Sequence, residues 1–393
     1  MRFVRVVVII VAVALLIGGG FAGGYVAGEY RVFSAGAETP GYVILWQVRD
    51  LLNRTFLGEI PSQQAQVYGA THGLVNAFND PYTLFVEPAP RTIERDAIRG
   101  HFGGIGAVIG RNEANEAVLT VMRDKPAARA GVKDGDVLAA VDGKPITAEM
   151  TVEQIVLLIR GEVGAKVTLT LRRAGQTEPF TVAVTRERIE TPSVEWRMLD
   201  ADRRIGYLRI AIFGERTSAE LKQGLDELAG QRADKLLLDL RGNGGGLLDA
   251  AVDVASQFLT EGVVLREQKR DSPETFYPVK KVQSPAQAWK IVILVDASTA
   301  SASEIVAGAL RDAGRAVLIG EKTYGKGSVQ EVHELPDGSS LHVTVARWLT
   351  PNRVQLDKTG LTPDVIVNIA QADRDAGRDP QLARGLAWLR GER

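Results

Sequence analysis

KIVILVDASTASASEIVAGALRDAGRAVLIGEKTYGKGSVQ, residues 290–330, is the stretch from which the rest of the chain is understood. Residues 291–295 form a short β-branched apolar run, which predicts a buried strand. Small residues fill 297–303. Residues 304–312 predict a helix with Ile305, Val306, Ala309 and Leu310 on one face. Residues 316–319 predict a second strand, and 329–333 alternate like an edge or half-buried one. A strand that turns sharply into a helix sets small hydroxyl residues at a helix N-terminus, where backbone N–H groups favour developing negative charge. Lys326, held between two glycines, can come close to other backbone. Ser301 is therefore a candidate nucleophile and Lys326 its candidate base, the serine–lysine variant of hydrolytic catalysis.

Other readings of the same residues compete. Ser301-Ala-Ser-Glu304 fits the S-x-x-E capping box of an ordinary helix start. Most lysines are solvated surface charges. Residues 320–326 begin like a phosphate-binding loop, but that motif needs Ser or Thr where Gly327 stands, and a helix where 328–333 reads as strand. A Ser-His-Asp triad through Asp296 and either His333 or His342 has no supporting spacing, and both histidines fall in predicted strands flanking the turn at Pro336.

The order strand, Ser-Thr-Ala-Ser301-Ala-Ser-Glu-Ile, helix, strand, Tyr-Gly-Lys326-Gly-Ser-Val-Gln330 resembles the active-site region of the C-terminal processing peptidases, also called tail-specific proteases. The resemblance implies Ser301 as nucleophile, Lys326 as base and Gln330 as a residue that helps hold the lysine. It implies no cofactor and no metal.

Composition agrees with a folded, multidomain protein. Of 393 residues 45 % are hydrophobic and 24 % charged, and the net charge is −1. Two or three domains are expected at this length. The charge balance gives no reason to propose a nucleic-acid partner. There is no cysteine, which removes thiol catalysis, thiolate metal sites and disulfides, and only four histidines occur, with no His-Glu-x-x-His pattern.

Arg2 and Arg5 precede an uncharged run over residues 6–28. As a helix it would span roughly 34 Å at about 1.5 Å per residue, enough for a bilayer core. The basic residues set its N-terminal end in the cytoplasm. A cleaved signal peptide is the alternative, since 6–17 has the length of its apolar core, but the small-residue site Ala35-Gly-Ala37 lies beyond Glu29 and Arg31. The expectation is a single-pass anchor in the cell membrane over residues 1–30, with the catalytic region outside the cytoplasm, periplasmic or extracellular.

Residues 31–99 read as a helical region, with helices in 42–78 ended by the turn Asn79-Asp80-Pro81-Tyr82. The segment from His72 to Thr83 resembles the one before the PDZ domain in the same peptidases, and His72 reads as a helix-surface or packing residue. Residues 100–188 read as a compact β-rich module with one helix over 151–160. Its opening loop, Gly103-Gly104-Ile105-Gly106, can hold a carboxylate with backbone N–H groups beside an edge that accepts an added strand. The module resembles a PDZ domain with this loop as the carboxylate site, although a plain glycine turn would explain the loop alone. Arg160 matches a family arginine linking substrate sensing to activation; a helix-terminal charge is the alternative.

Residues 189–370 alternate strand and helix, an α/β core. A strand at 236–240 leads into Arg241-Gly-Asn-Gly-Gly-Gly246 and a helix over 247–259. Glycine lets backbone approach a substrate, and a hydrolase needs N–H donors aimed at the oxyanion. The family reads Asn-Pro-Gly-Gly here, which implies Gly245 and Ala302 as oxyanion donors. Gly244 replaces the proline and leaves Gly246 as an alternative to Gly245. Residues 266–284 read as a hairpin or solvated loop. The tail, 371–393, is helical and could pack on the core or join a dimer.

The chain is thus expected to be a multidomain α/β protein: a membrane anchor and helical segment, an inserted PDZ domain, and a peptidase core of the crotonase/ClpP-like kind. Its expected activity is that of a serine endopeptidase acting on exported proteins with exposed C-terminal tails. The resemblance leaves room for an adaptor or activator protein and for a homo-oligomer. The rival expectation is a non-catalytic, anchored PDZ adaptor.

Overall fold

The computed structural model describes residues 41–199 and 204–392. The apolar run at 6–28 lies outside them. Among the described residues no helix is long and apolar enough to cross a membrane. Two helices open the described chain, Tyr42–Thr55 and Gln63–Asn76.

The core is a six-stranded sheet in the order Val194–Met198, Ile205–Ile210, Lys235–Asp239, Lys290–Val295, Ala316–Gly320, Val365–Ile366. The first pair is antiparallel and the rest are parallel. The middle strands read as unbroken apolar runs because both faces are covered. Helices Thr217–Gly230, Leu248–Ser256 and Ala302–Asp312 bury one face through Leu225, Val254 and Val306. The tail helix, Pro380–Arg390, covers the other, with Leu382, Leu386 and Leu389 against Leu237, Val292 and Leu294. It packs back on its own core, one of the two placements the sequence left open.

A second sheet joins Leu84–Val86, Ser340–Leu349, Val263–Lys269 and Thr275–Pro278, and Ser328–Glu334 also pairs with Ser340–Leu349. The polar stretch beginning at Arg266 is therefore part of a hairpin, Val263–Lys269 with Thr275–Pro278. Ser328–Glu334 is a strand, which removes the helix that a phosphate-binding loop would need.

The β-rich module has its own core, built on Leu119, Leu138, Ile155 and Leu169. Its sheet runs Ala107–Arg111, Ala117–Val121, Val137–Val141, Lys166–Arg172, Phe180–Thr185. The chain enters and leaves it through one antiparallel ladder, His101–Gly104 with Glu187–Glu190. Just before that ladder stands a helix the sequence reading did not single out, Pro88–Arg99, with proline in its first turn and Gly100 ending it at φ 72°.

Candidate active site

Ser301 joins strand Lys290–Val295 to helix Ala302–Asp312. Its backbone, φ 55° and ψ −117°, lies outside the regions open to ordinary L-residues. Such strain costs about 1–3 kcal/mol and persists only where neighbours over-determine it. Several do. Asp296 Oδ1 accepts the Ser298 N–H at 3.0 Å. Both Asp296 oxygens lie 3.1 Å from the Gly242 N–H. The Asn243 carbonyl accepts the Ala300 N–H at 3.0 Å and the Ser303 hydroxyl at 2.9 Å.

Glu304 adds the strongest restraint. It is fully buried, at 0 % exposure. Its Oε2 accepts the Ser301 N–H and the Lys326 N–H, each at 2.9 Å. Its Oε1 accepts the Thr323 hydroxyl at 2.5 Å and the Gly325 N–H at 2.8 Å. One carboxylate therefore ties the backbone of the serine turn to that of the lysine loop. The capping-box reading captured only its bond to Ser301.

Lys326 turns its ammonium into the same cleft. Its Nζ lies 5.5 Å from the centre of the Tyr82 ring. Burial lowers its pKa, against the opposing pull of Glu94 and Asp80. No hydrogen bond joins Lys326 Nζ to Ser301 Oγ among the described residues. Trp348, itself buried, donates its indole N–H to the Lys326 carbonyl at 2.9 Å. Gln330 shares the cleft but donates to Ser328 Oγ at 2.7 Å and Thr344 Oγ1 at 3.3 Å, not to the lysine.

The glycine turn comes closest to Ser301 at Gly245. A Cβ there would sit 2.7 Å from Ser301 Cβ and 3.1 Å from the Ala302 nitrogen, and φ is 111°. Only glycine fits. The Gly245 N–H, however, is donated to Asn243 Oδ1 at 2.9 Å. The expected oxyanion donor is engaged here by a side chain two residues back, in an Asx-type turn. Ala302 is the first helical residue, so its N–H has no acceptor within the helix.

Ser301, Ala302, Lys326, Gln330 and Gly245 line one cleft of about 730 Å³. Helix Pro88–Arg99 lines its other side through Arg91, Glu94 and Ile98. His342 also reaches this cleft, but it bonds Ser340 Oγ at 3.2 Å and faces Glu94 at 3.5 Å. With Asp296 committed to Gly242 and Ser298, no Ser-His-Asp array forms among the described residues.

Gly103, Gly104, Ile105 and Gly106 do not line the cleft. Gly103 and Gly104 belong to the entry ladder, and the Ile105 and Gly106 carbonyls accept from Ala127 at 2.8 Å and Met122 at 2.9 Å. Arg160 is the closer link. It ends helix Val152–Ile159, stacks 3.7 Å above the Phe102 ring and bonds Asp96 Oδ2 at 3.2 Å. Asp96 lies on the helix that walls the cleft. Burial lowers the Arg160 pKa despite Asp96.

The sequence profile described as Peptidase family S41 matches residues 204–367, and a PDZ domain profile matches residues 118–173. The chain is 34 % identical over 342 residues to the carboxy-terminal-processing protease of Bartonella bacilliformis, covering 86 % of this chain and 77 % of that one. It is 36 % identical over 303 residues to the carboxy-terminal processing protease CtpA of Bacillus subtilis, covering 76 % of this chain and 63 % of that one. Among solved structures, the photosystem II D1 C-terminal processing protease aligns at 31 % identity over 84 % of this chain and 94 % of that one, with a TM-score of 0.48.

Proposed function

This chain belongs to peptidase family S41, as a PDZ-containing serine protease of the carboxy-terminal processing kind, and from that premise we propose how its cleft works. Neutral Lys326 removes the Ser301 hydroxyl proton, and Ser301 Oγ attacks the scissile carbonyl carbon. The oxyanion takes hydrogen bonds from the Ala302 N–H and the glycine turn. Being a charged acceptor, it competes well with Asn243 Oδ1 for the Gly245 N–H. Lys326 returns the proton to the leaving amine. Water, deprotonated in turn by Lys326, then resolves the acyl-enzyme. The observation that carries this reading is Glu304, whose carboxylate holds the Ser301 and Lys326 backbones at the same cleft. The lowered Lys326 pKa supports it, because a base must be neutral to act. Substrate binding draws the two side chains into hydrogen-bond reach, as apo sites commonly require.

The C-terminal carboxylate of an unstructured substrate tail binds at residues 103–106 of the PDZ domain, and Arg160 couples its occupancy, through Asp96, to the cleft wall. Gln330 steadies the lysine through its bond to Ser328, the first residue of the strand that follows the Gly-Lys-Gly segment. Substrates are exported proteins, met outside the cytoplasm by an enzyme anchored through residues 1–30; the apolar run after Arg2 and Arg5 supports this. An adaptor or activator, or a second copy of the chain, could complete the assembly. A membrane-fractionation and external-protease experiment tests the placement: a peripheral or cytoplasmic catalytic region would refute it.

The activity test uses an unstructured protein with an apolar C-terminal tail, incubated with the wild-type chain, Ser301→Ala and Lys326→Ala. Turnover should vanish in both variants while tail binding persists. Equal turnover in Lys326→Ala would sink the dyad, and absent turnover in all three would favour a PDZ adaptor.

A further inference from the structure

Arg241 opens the glycine turn, two residues beyond the last residue of strand Lys235–Asp239. Its guanidinium is saturated. Nε and Nη2 donate to Asp239 at 3.0 and 2.7 Å. Nη1 and Nη2 donate to the two oxygens of Asp379, each at 2.9 Å. Nη1 also donates to Gln381 Oε1 at 3.0 Å. The five bonds match the five N–H donors of the fork. Gln381 is fully buried and pins the arrangement by donating to the Val367 carbonyl at 2.8 Å. Tyr207 closes it from the neighbouring strand, with its hydroxyl 3.0 Å from Asp239 Oδ2.

Asp379 and Gln381 belong to the tail. They lie beyond residue 367, where the family S41 match ends. The tail helix is thus fastened to the sheet by Leu382, Leu386 and Leu389, and fastened separately, by a bidentate ion pair, to the first residue of the turn that reaches Ser301 at Gly245. The next residue, Gly242, is gripped by Asp296, which also holds the serine turn.

We propose that Asp379 and Gln381 are positioning residues for the oxyanion turn: the C-terminal helix acts through Arg241 to fix the path of residues 242–246 beside Ser301. This rests on the reading of that turn as the oxyanion site. A loosened turn would leave substrate binding alone and weaken stabilisation of the developing charge, so the effect belongs in kcat.

Asp379 is also the N-cap of its helix, accepting the Leu382 N–H at 2.9 Å. Asp379→Ala would therefore confuse two roles. Asp379→Ser keeps a good cap but is too short to reach Arg241, and Asp379→Asn keeps the cap and one acceptor. The full chain and these variants are compared on the tail-bearing substrate at a temperature where circular dichroism shows all of them folded, with Ser301→Ala alongside. We expect kcat to fall about tenfold in Asp379→Ser, short of the 10²–10³-fold typical of losing an oxyanion donor outright. KM and tail affinity should stay within about twofold, and Asp379→Asn should fall between. An unchanged kcat in Asp379→Ser, or a loss confined to KM, with Ser301→Ala inactive, overturns the inference alone. Turnover that survives Ser301→Ala overturns the site reading beneath it.

Discussion

Replacing Glu304 separates the roles of its two oxygens. In Glu304→Ala four donors lose their acceptor: the buried Gly325 N–H and Thr323 hydroxyl and the part-buried Ser301 and Lys326 N–H groups. At about 1–3 kcal/mol for each buried group left unsatisfied, the two buried donors alone cost roughly 2–6 kcal/mol, and the two part-buried ones add to it. That is a large share of the roughly 5–15 kcal/mol that holds a typical domain together. Glu304→Ala should therefore fail to fold its serine and lysine loops. Glu304→Gln should behave differently. Its amide oxygen can stay on the Ser301 and Lys326 side while its NH2 faces Thr323 and Gly325. The Thr323 hydroxyl can reverse its role and accept, as it already does from the Leu361 N–H at 2.7 Å. Only the Gly325 N–H is stranded, at about 1–3 kcal/mol. Urea unfolding followed by tryptophan fluorescence measures both, because Trp348 is bonded to the Lys326 carbonyl. Turnover should be partly kept in the glutamine variant. If the alanine variant is as stable as wild type within about 1 kcal/mol, or if both variants lose the same amount, the wiring assigned to Glu304 is wrong.

Gly245→Ala should lower kcat about 10²-fold, the penalty for displacing reacting groups by about 1 Å, since its Cβ would meet Ser301. Gly314→Ala is the control: outside the cleft, at φ 65° with nothing within 4 Å of the added atom, it should cost about 1–2 kcal/mol of stability and little rate. Turnover should rise with pH along a limb lying below the ordinary lysine value of about 10.4, because the active form of Lys326 is the neutral one and burial lowers its pKa; a rate flat from pH 5 to 9 with chemistry limiting would contradict this. The same shift bears on stability. The unfolded chain binds the Lys326 proton more tightly than the folded one, so this group's contribution is lost as pH falls through the folded pKa and fully present only above about 10.4. Lys326→Met should accordingly stabilise the protein at pH 7, with the gain fading toward pH 10 in thermal melts. Arg160→Ala should leave turnover of tailless substrates unchanged and reduce the advantage conferred by a tail, since it cuts the contact from Phe102 to Asp96; an undiminished tail advantage would remove Arg160 from the coupling.

Much of this was legible in the sequence because strands and helices leave periods. Residues 291–295 read as a buried strand, and the strand is Lys290–Val295. The hydroxyl run and the Gly-Lys-Gly segment pointed to Ser301 and Lys326, which do share a cleft. Helix Pro88–Arg99 falls within residues 31–99, which read as a helical region, and carries signals of its own, a proline in its first turn and Gly100 after its end, but its polar sequence offers only a thin apolar stripe to single it out. Gly245 was singled out as a donor, whereas the structure spends that N–H on Asn243 and makes the glycine necessary for a different reason, its approach to Ser301. An Asx-type bond between residues two apart was within reach of sequence reasoning.

What left no trace was the choice of distant partners. Periodicity says which face of an element is buried, but a carboxylate that crosses 22 residues to Lys326, as Glu304 does, or 138 to Arg241, as Asp379 does, creates no period. Yet these bonds decide whether the site exists. Ser301 at φ 55° and Gly245 at φ 111° are conformations that short loops do not keep unaided. Asp296, Glu304 and Asp379, each from a different element, hold the serine turn, the lysine loop and the start of the glycine turn. In each case the partners are mostly backbone N–H groups or a single arginine, donors that cannot retreat into water without dismantling the turn. A net charge of −1 conceals this arrangement, since these anions act through particular bonds, with Glu304 fully buried and Asp296 and Asp379 half-buried, and not through an excess of surface charge. On the reading proposed above, the hydrolytic geometry rests on Asp296, Glu304 and Asp379, which hold the turns, as well as on Ser301 and Lys326, the two residues proposed to react.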